Sequence, residues 1–186
     1  MSTTILSRQN MWKLIRSNKE FTVKELAKAG AVSTGTARQY LKGLMVNGMV
    51  QEVKTRRFGK PANLTLYSLI KDVGQHAPQL RADGTEDPKY KALKNLWRSM
   101  RISKFFTIKE LVSASKTTGC HVTERNATEY VENLLNAGYL KKSLKDGDQT
   151  TYVLIGQKVS GPMPPLIQRV VKVYDPNVCK YIGTED

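Results

Sequence analysis

The chain repeats itself. Trp12, Arg16, Phe21, Thr22, Lys24, Glu25 and Leu26 recur as Trp97, Arg101, Phe106, Thr107, Lys109, Glu110 and Leu111, at a constant offset of 85 residues (12 to 97, 26 to 111). The next landmarks keep their order at a wider spacing, with Ala37, Tyr40, Leu44 and Gly48 answered by Ala127, Tyr130, Leu134 and Gly138. The first offset then returns, Tyr67 and Ile70 matching Tyr152 and Ile155. Landmarks that stay in order across an insertion and a deletion mark a duplicated domain rather than a solenoid unit. The fold must therefore be one that can be built twice.

Local patterns give the elements of the unit. In the first copy Ser7 caps a helix with Met11, Trp12 and Ile15 on one face. Thr22-x-x-Glu25 is a capping box opening a short second helix. After the turn Ala29–Val32, Ser33 caps a third helix whose inward stripe is Ala37, Tyr40, Leu41, Leu44 and Met45, ended by Asn47-Gly48. Val50–Thr55 and Leu64–Leu69 read as strands, with residues 56–63 as the loop between them. The second copy repeats the order: Pro88 at a helix start, Thr107-x-x-Glu110 as capping box, an insertion within Ser113–Thr123, and a third helix ended by Gly138. Strands Leu140–Leu144 and Thr151–Ile155 then flank an Asp-Gly turn. The repeated Trp and Tyr residues lie at helical spacing on apolar faces, which suits core packing rather than base stacking.

Three helices followed by a hairpin, with Phe-Thr-Val-Lys-Glu-Leu-Ala leading through a turn into Ser-Thr-Gly-Thr-Ala-Arg-Gln-Tyr-Leu-Lys-Gly-Leu and then Asn-Gly-Met-Val, resembles the winged helix-turn-helix family of bacterial transcription regulators. The resemblance covers residues 7–70 and again 88–155. It implies a mainly α fold with small β-hairpin wings, of α+β class. Two tandem winged helix-turn-helix domains are expected at 1–77 and 89–155, joined by a flexible linker at 78–88 and followed by a Pro-rich linker and strand-like tail at 156–186. Leu166–Tyr174 is β-branched and strand-like, and can add a strand to its own domain or to a partner's sheet edge.

The outward residues of the two copies differ. The third helix of the first copy presents Thr34, Thr36, Arg38, Gln39 and Lys42. Small hydroxyls permit close approach to a groove, Arg and Gln match guanine and adenine edges, and Lys42 suits a phosphate. The first wing carries Lys54, Arg56, Arg57 and Lys60, with no acid from Thr55 to Asn63. Inserted arginine is attracted by a narrow minor groove. Arg57-Phe-Gly-Lys-Pro61 also partly resembles the Arg-Gly-Arg-Pro core of AT-hook minor-groove binders, with Phe58 intervening. The third helix of the second copy instead presents Glu124, Arg125, Thr128, Glu129, Glu132 and Asn133, whose carboxylates would be repelled by phosphates. Its cations, Lys89, Lys91, Lys94, Arg98, Arg101 and Lys104, run along the first helix and its end, either as an auxiliary phosphate-contacting face or as a solvated one.

The formal net charge of +14 on 186 residues favours a polyanionic partner. Two cysteines, Cys120 and Cys179, are too few for a disulfide framework and suit a reducing compartment. No long apolar run indicates a signal peptide or a membrane span, so a cytoplasmic, nucleoid-associated protein without membrane partners is expected. Catalytic, metal-ligating and cofactor-binding residues are expected to be none: His76, His121 and Cys120 belong to no spaced ligand set, and Gly59-Lys60 lacks the phosphate-loop spacing. The leading function is a sequence-preferring double-stranded DNA-binding protein, a transcriptional regulator. The alternatives are a replication initiator or transposition-end-binding protein, and a protein-interaction scaffold of tandem winged helices. Double-stranded DNA is the expected partner. A homodimer, or a protein contact through the second domain or the tail, is the expected role of the remaining surface.

Overall fold

The computed structural model describes residues 3–58, 62–144, 150–167 and 173–182, and at 3–4, 54–58, 62–64, 144, 174 and 181 the backbone alone. The fold is α+β, with six α-helices and small antiparallel sheets among the described residues. The chain divides into two compact units, Thr3–Asp87 and a second from Pro88 onward.

The first unit runs α1 (Thr3–Ser17), α2 (Val23–Gly30), α3 (Thr34–Val46), β1 (Val50–Phe58) and β2 (Ala62–Leu69). Thr22 and Glu25 form the expected capping box, with Thr22 N donating to Glu25 Oε2 at 2.7 Å and Glu25 N donating to Thr22 Oγ1 at 3.2 Å. Ala31, at φ 50°, turns the chain out of α2, and Ser33 Oγ accepts from Thr36 N at 3.2 Å to start α3. Gly48, at φ 65°, closes α3, letting Met49 N reach Leu44 O at 3.0 Å. Trp12, Ile15, Phe21, Leu26, Ala37 and Leu44 are fully buried where the three helices meet. The hairpin is tied to them by a bridge in which Phe21 and Tyr67 exchange both backbone hydrogen bonds at 2.9 Å, their rings stacked at 6.1 Å.

Three expectations for the first unit are overturned by the structure. β1 continues through Arg56 and Arg57 to Phe58, which pairs Ala62, so those arginines are strand residues rather than loop residues. Met45, expected on the inward stripe of α3, is 38% exposed, while Gly43 is buried in its place. The segment 78–88, expected as a flexible linker, is folded back on the first unit as far as Asp87. Polar side chains of α1 hold that strap: Trp12 Nε1 donates to Gly74 O at 2.8 Å, Gln9 Oε1 accepts from Ala77 N at 2.9 Å, and Arg8 Nη1 reaches Gln79 Oε1 and Asp87 Oδ2 at 3.1 and 3.0 Å. Asn47 Nδ2 adds a bond to Gly84 O at 2.8 Å. A side chain at Gly43 would overlap the Arg81 carbonyl oxygen, so glycine lets the strap lie against α3. Gly43→Ala is expected to push the strap off α3 and cost about 1–3 kcal/mol, read as a lowered denaturation midpoint with hydrogen-exchange deprotection confined to residues 77–87.

The second unit runs α4 (Pro88–Ser103), β3 (Phe105–Phe106), α5 (Ile108–Ser115), α6 (Glu124–Asn136), β4 (Leu140–Leu144) and β5 (Thr150–Leu154). A 3-10 turn, Gly156–Lys158, leads to β6 (Leu166–Ile167), β7 (Val173–Asp175) and β8 (Lys180–Ile182). The sheet orders are β3-β5-β4 and β6-β7-β8. The duplication is visible in its packing. Thr107 and Glu110 form the second capping box. Phe106 pairs Tyr152 with rings 6.2 Å apart, and Trp97 Nε1 donates to Gly161 O at 3.2 Å. The inserted residues join the core through Cys120 and Val122, which are 7% and 2% exposed.

Of the two options for the tail, packing on its own unit is the one observed. Leu166 and Val173 are 3% exposed, and Tyr130 Oη donates to Pro165 O at 3.1 Å. Asp175 is fully buried and accepts from Tyr139 Oη at 2.9 Å, Asn177 N at 2.9 Å and Ser160 Oγ. Burial, then the hydrogen bond to Asp175 and its charge, hold the Tyr139 phenol well above its ordinary range, so it stays a donor at neutral pH. Residues 156–165 are thus a bonded strap rather than a free linker. Gly74-x-x-x-Pro78 and Gly161-x-x-x-Pro165 extend the repeat into both straps.

Candidate functional site

All five residues expected to face outward from α3, Thr34, Thr36, Arg38, Gln39 and Lys42, are exposed. They do not form one ridge. Neighbours on a helix point about 100° apart, and the surroundings separate accordingly. Arg38 lies close enough to Tyr67 for its charge to act on the phenol; burial and then Glu52 raise that group, and Arg38 partly offsets them. Arg38 therefore belongs to the hairpin side. Thr36 and Gln39 line a cleft on the other side, with Arg8, Tyr40, Leu80 and Arg81. Thr36 Oγ1 is also 3.0 Å from Ser33 Oγ, so its hydroxyl supports the helix start. Lys42 is exposed and is not among the residues that line the cleft. Gly35 has open space around it: a methyl group there would meet only Ser33 Oγ, at 3.7 Å.

The hairpin places Lys54, Arg56 and Arg57 within β1, opposite Leu66, Leu64 and Asn63 of β2. The register shifts between Glu52 and Lys54, at the base of the cationic stretch. Lys60 lies outside the described residues. Sequence patterning missed two charged residues of the first unit that bear on this surface. One is Glu52, an acid on the hairpin side, visible in the sequence two residues before Lys54. The other is Arg81, an exposed cation that the folded strap carries to the flank of α3. The signal for it was the Gly-x-x-x-Pro match between the two straps.

In the second unit Glu124, Arg125, Glu129 and Glu132 are exposed on α6, while Thr128 and Asn133 are half-buried. Among the α4 cations, Lys91 Nζ donates to Thr118 O at 3.1 Å, and Lys94 Nζ lies 5.8 Å from the Tyr90 ring centre. Arg98, Arg101 and Lys104 are exposed. With straps assigned to their units, residues 3–87 carry 14 basic and 7 acidic side chains, and residues 88–186 carry 16 and 9. The net charge is therefore +7 in each, and the units differ in where the charge sits rather than in how much there is. Ile102 and Phe105 are 69% and 61% exposed, at positions where the first copy has Ser17 and Glu20.

Among the described residues no group of three His, Cys, Asp or Glu is gathered as a metal site, and no helix is long and apolar enough to cross a membrane. No model of a known protein family matches the chain, and a search of curated proteins finds no relative.

Proposed function

We propose that the chain is a sequence-preferring double-stranded DNA-binding protein, a transcriptional regulator built from two tandem winged helix-turn-helix domains. The observation that carries this reading is the first unit's α3. It follows α2 after a turn of residues 31–33, presents Arg38, Gln39 and Lys42 to solvent, and is followed by a hairpin bearing Lys54, Arg56 and Arg57. α3 enters the major groove, with Arg38 reading a base edge and Lys42 on a phosphate, and the hairpin lies along the flanking minor groove. Arg81 adds a phosphate contact beside α3. No enzymatic activity, metal or cofactor is part of this reading.

The second unit has a different task. Exposed carboxylates on α6 oppose groove entry, while exposed Ile102 and Phe105 offer apolar surface to a protein. It contacts another protein or a second copy, which would place two first units on half-sites about one helical turn apart. The protein acts in the cytoplasm on the nucleoid.

The test is a fluorescence-anisotropy titration of the full chain with duplex DNA across a salt series. Five to eight phosphate contacts give a log–log slope on the order of −4 to −7. At the preferred site Arg38→Ala is expected to cost roughly 1–3 kcal/mol and to relax base preference. Gln39→Ala, facing the cleft, costs less than Arg38→Ala. A salt-independent affinity would remove the DNA reading. An Arg38→Ala variant that keeps the parent's affinity and base preference would remove the role of α3.

A further inference from the structure

The first unit contains a cleft of about 410 Å³ between α1, the α2–α3 turn, α3 and the strap. Its apolar walls are Met11, Ala31, Val32 and Leu80. Its polar groups are Ser7, Arg8, Thr36, Gln39, Tyr40 and Arg81, and no acidic side chain is among the lining residues. The volume falls within the range that small-molecule sites occupy.

Two features of the floor separate it from a packing gap. Tyr40 is 3% exposed, and its hydroxyl has no hydrogen-bond partner among the described residues. A buried donor left without an acceptor is destabilising, so a ligand that supplies one gains from it. The Arg8 guanidinium stands 5.8 Å over the Tyr40 ring, held there by Gln79 and Asp87 through Nη1.

The second unit supplies an internal comparison. Ser7, Arg8 and Met11 correspond to Ala92, Leu93 and Leu96, and Tyr40 to Tyr130. There Ala92 and Leu93 pack against the core, and Tyr130 Oη donates to Pro165 O at 3.1 Å. One copy thus fills this position with aliphatic side chains and satisfies its tyrosine. The other keeps a guanidinium, an open cleft and an orphaned phenol.

We propose that this cleft binds a small amphipathic carboxylate, an organic acid whose apolar body lies on Met11, Val32 and Leu80 while its carboxylate meets Arg8 and Arg81. The Tyr40 hydroxyl has almost no accessible surface, so a small shift of the floor side chains lets the acid's oxygen, directly or through one water, give its proton an acceptor. Burial raises the phenol above its ordinary range, so that proton is present at neutral pH. The site stands on the first unit alone and does not depend on the DNA-binding reading.

The experiment follows the methyl resonances of [¹³C-methyl]methionine in the full chain without DNA. Hexanoate and benzoate are the probes, and hexylamine is the charge-reversed control. The Met11 methyl is expected to shift saturably with both acids up to roughly 10 mM, the range of weak fragment binding. Met100 and Met163, in the second unit, stay in place. Arg81→Ala, at the exposed rim, weakens binding about tenfold, as loss of one charge-assisted contact does. Tyr40→Phe weakens it at unchanged fold, and Arg8→Leu, which installs the second copy's residue, abolishes it. Three results each overturn the proposal: no saturable Met11 shift with either acid, an equal shift with hexylamine, or unaltered binding by both Arg81→Ala and Tyr40→Phe. Those last two variants decide the matter even if Arg8→Leu perturbs the fold.

Discussion

Replacing Arg56, Arg57 and Lys60 together with alanine is expected to weaken duplex binding roughly a hundredfold at about 0.15 M salt. The figure follows from counterion release. Affinity falls as about the 0.9 power of salt for each neutralised phosphate, so three contacts account for roughly two decades at that concentration. The same variant should flatten the salt slope by about 2.7 and act almost equally on preferred and random sequences. This separates the hairpin from α3, where Arg38→Ala changes base preference more than salt dependence. Arg56 and Arg57 lie on β1, so their replacement changes cations on a paired strand, and the melting transition of the variant serves as the control for fold. If the triple variant binds like the parent, the hairpin does not touch DNA.

The second large effect concerns the repeated tryptophans. Trp12 is fully buried and Trp97 is 1% exposed, and each indole N–H donates to a strap glycine, Gly74 O at 2.8 Å and Gly161 O at 3.2 Å. Each ring therefore holds the helical core and the returning strap together. Trp12→Ala removes a large apolar side chain and one buried hydrogen bond, and is expected to cost about 3–5 kcal/mol. That is comparable to much of the stability of a small domain. Hydrogen exchange followed by mass spectrometry should show deprotection across residues 3–87, with the second unit unchanged. Trp97→Ala should give the converse pattern. The lone tryptophan left in each variant reports on the unit that stays folded. Deprotection of both units by either change would mean that they do not fold independently.

The parts of the fold that were legible in the sequence are those carried by short-range rules repeated twice. Thr22-x-x-Glu25 and Thr107-x-x-Glu110 are capping boxes in the structure, and Gly48 and Gly138 adopt the positive φ that ends α3 and α6. Trp12 and Trp97 bond matching strap glycines, and the Phe21–Tyr67 and Phe106–Tyr152 pairs stack alike in both cores. The straps were illegible for a physical reason. Residues 78–88 are polar and rich in turn formers, which suggests solvent exposure when they are read alone. Their order comes from partners some seventy positions earlier, Arg8 and Gln9 in α1. The same strap explains Met45. Its side-chain period fits the inward stripe, but the strap packs against Gly43, on the other side of α3.

At the candidate site, the exposure of Thr34, Thr36, Arg38, Gln39 and Lys42 followed from helical periodicity. Their division into a hairpin side and a cleft side did not, because it depends on which element flanks α3 on each edge. Glu52 is plain in the sequence, but a charge count that starts at Thr55 excludes it. Arg81 could be placed only once the strap was seen to return. The contrast between the copies also changes in meaning. Summed over whole units the charge is equal, so unequal roles rest on the exposed carboxylates of α6 and the exposed cations of α3 and Arg81.

Whether the first unit reads duplex DNA through α3 is decided by selecting the full chain against a pool of random duplexes at about 0.15 M salt. Enrichment of a defined sequence is expected. The preference should be lost at one base position in Arg38→Ala and retained, at lower affinity, in the hairpin triple variant. Recovery of no enriched sequence, or of the same sequence at full strength by Arg38→Ala, would contradict a groove-reading α3.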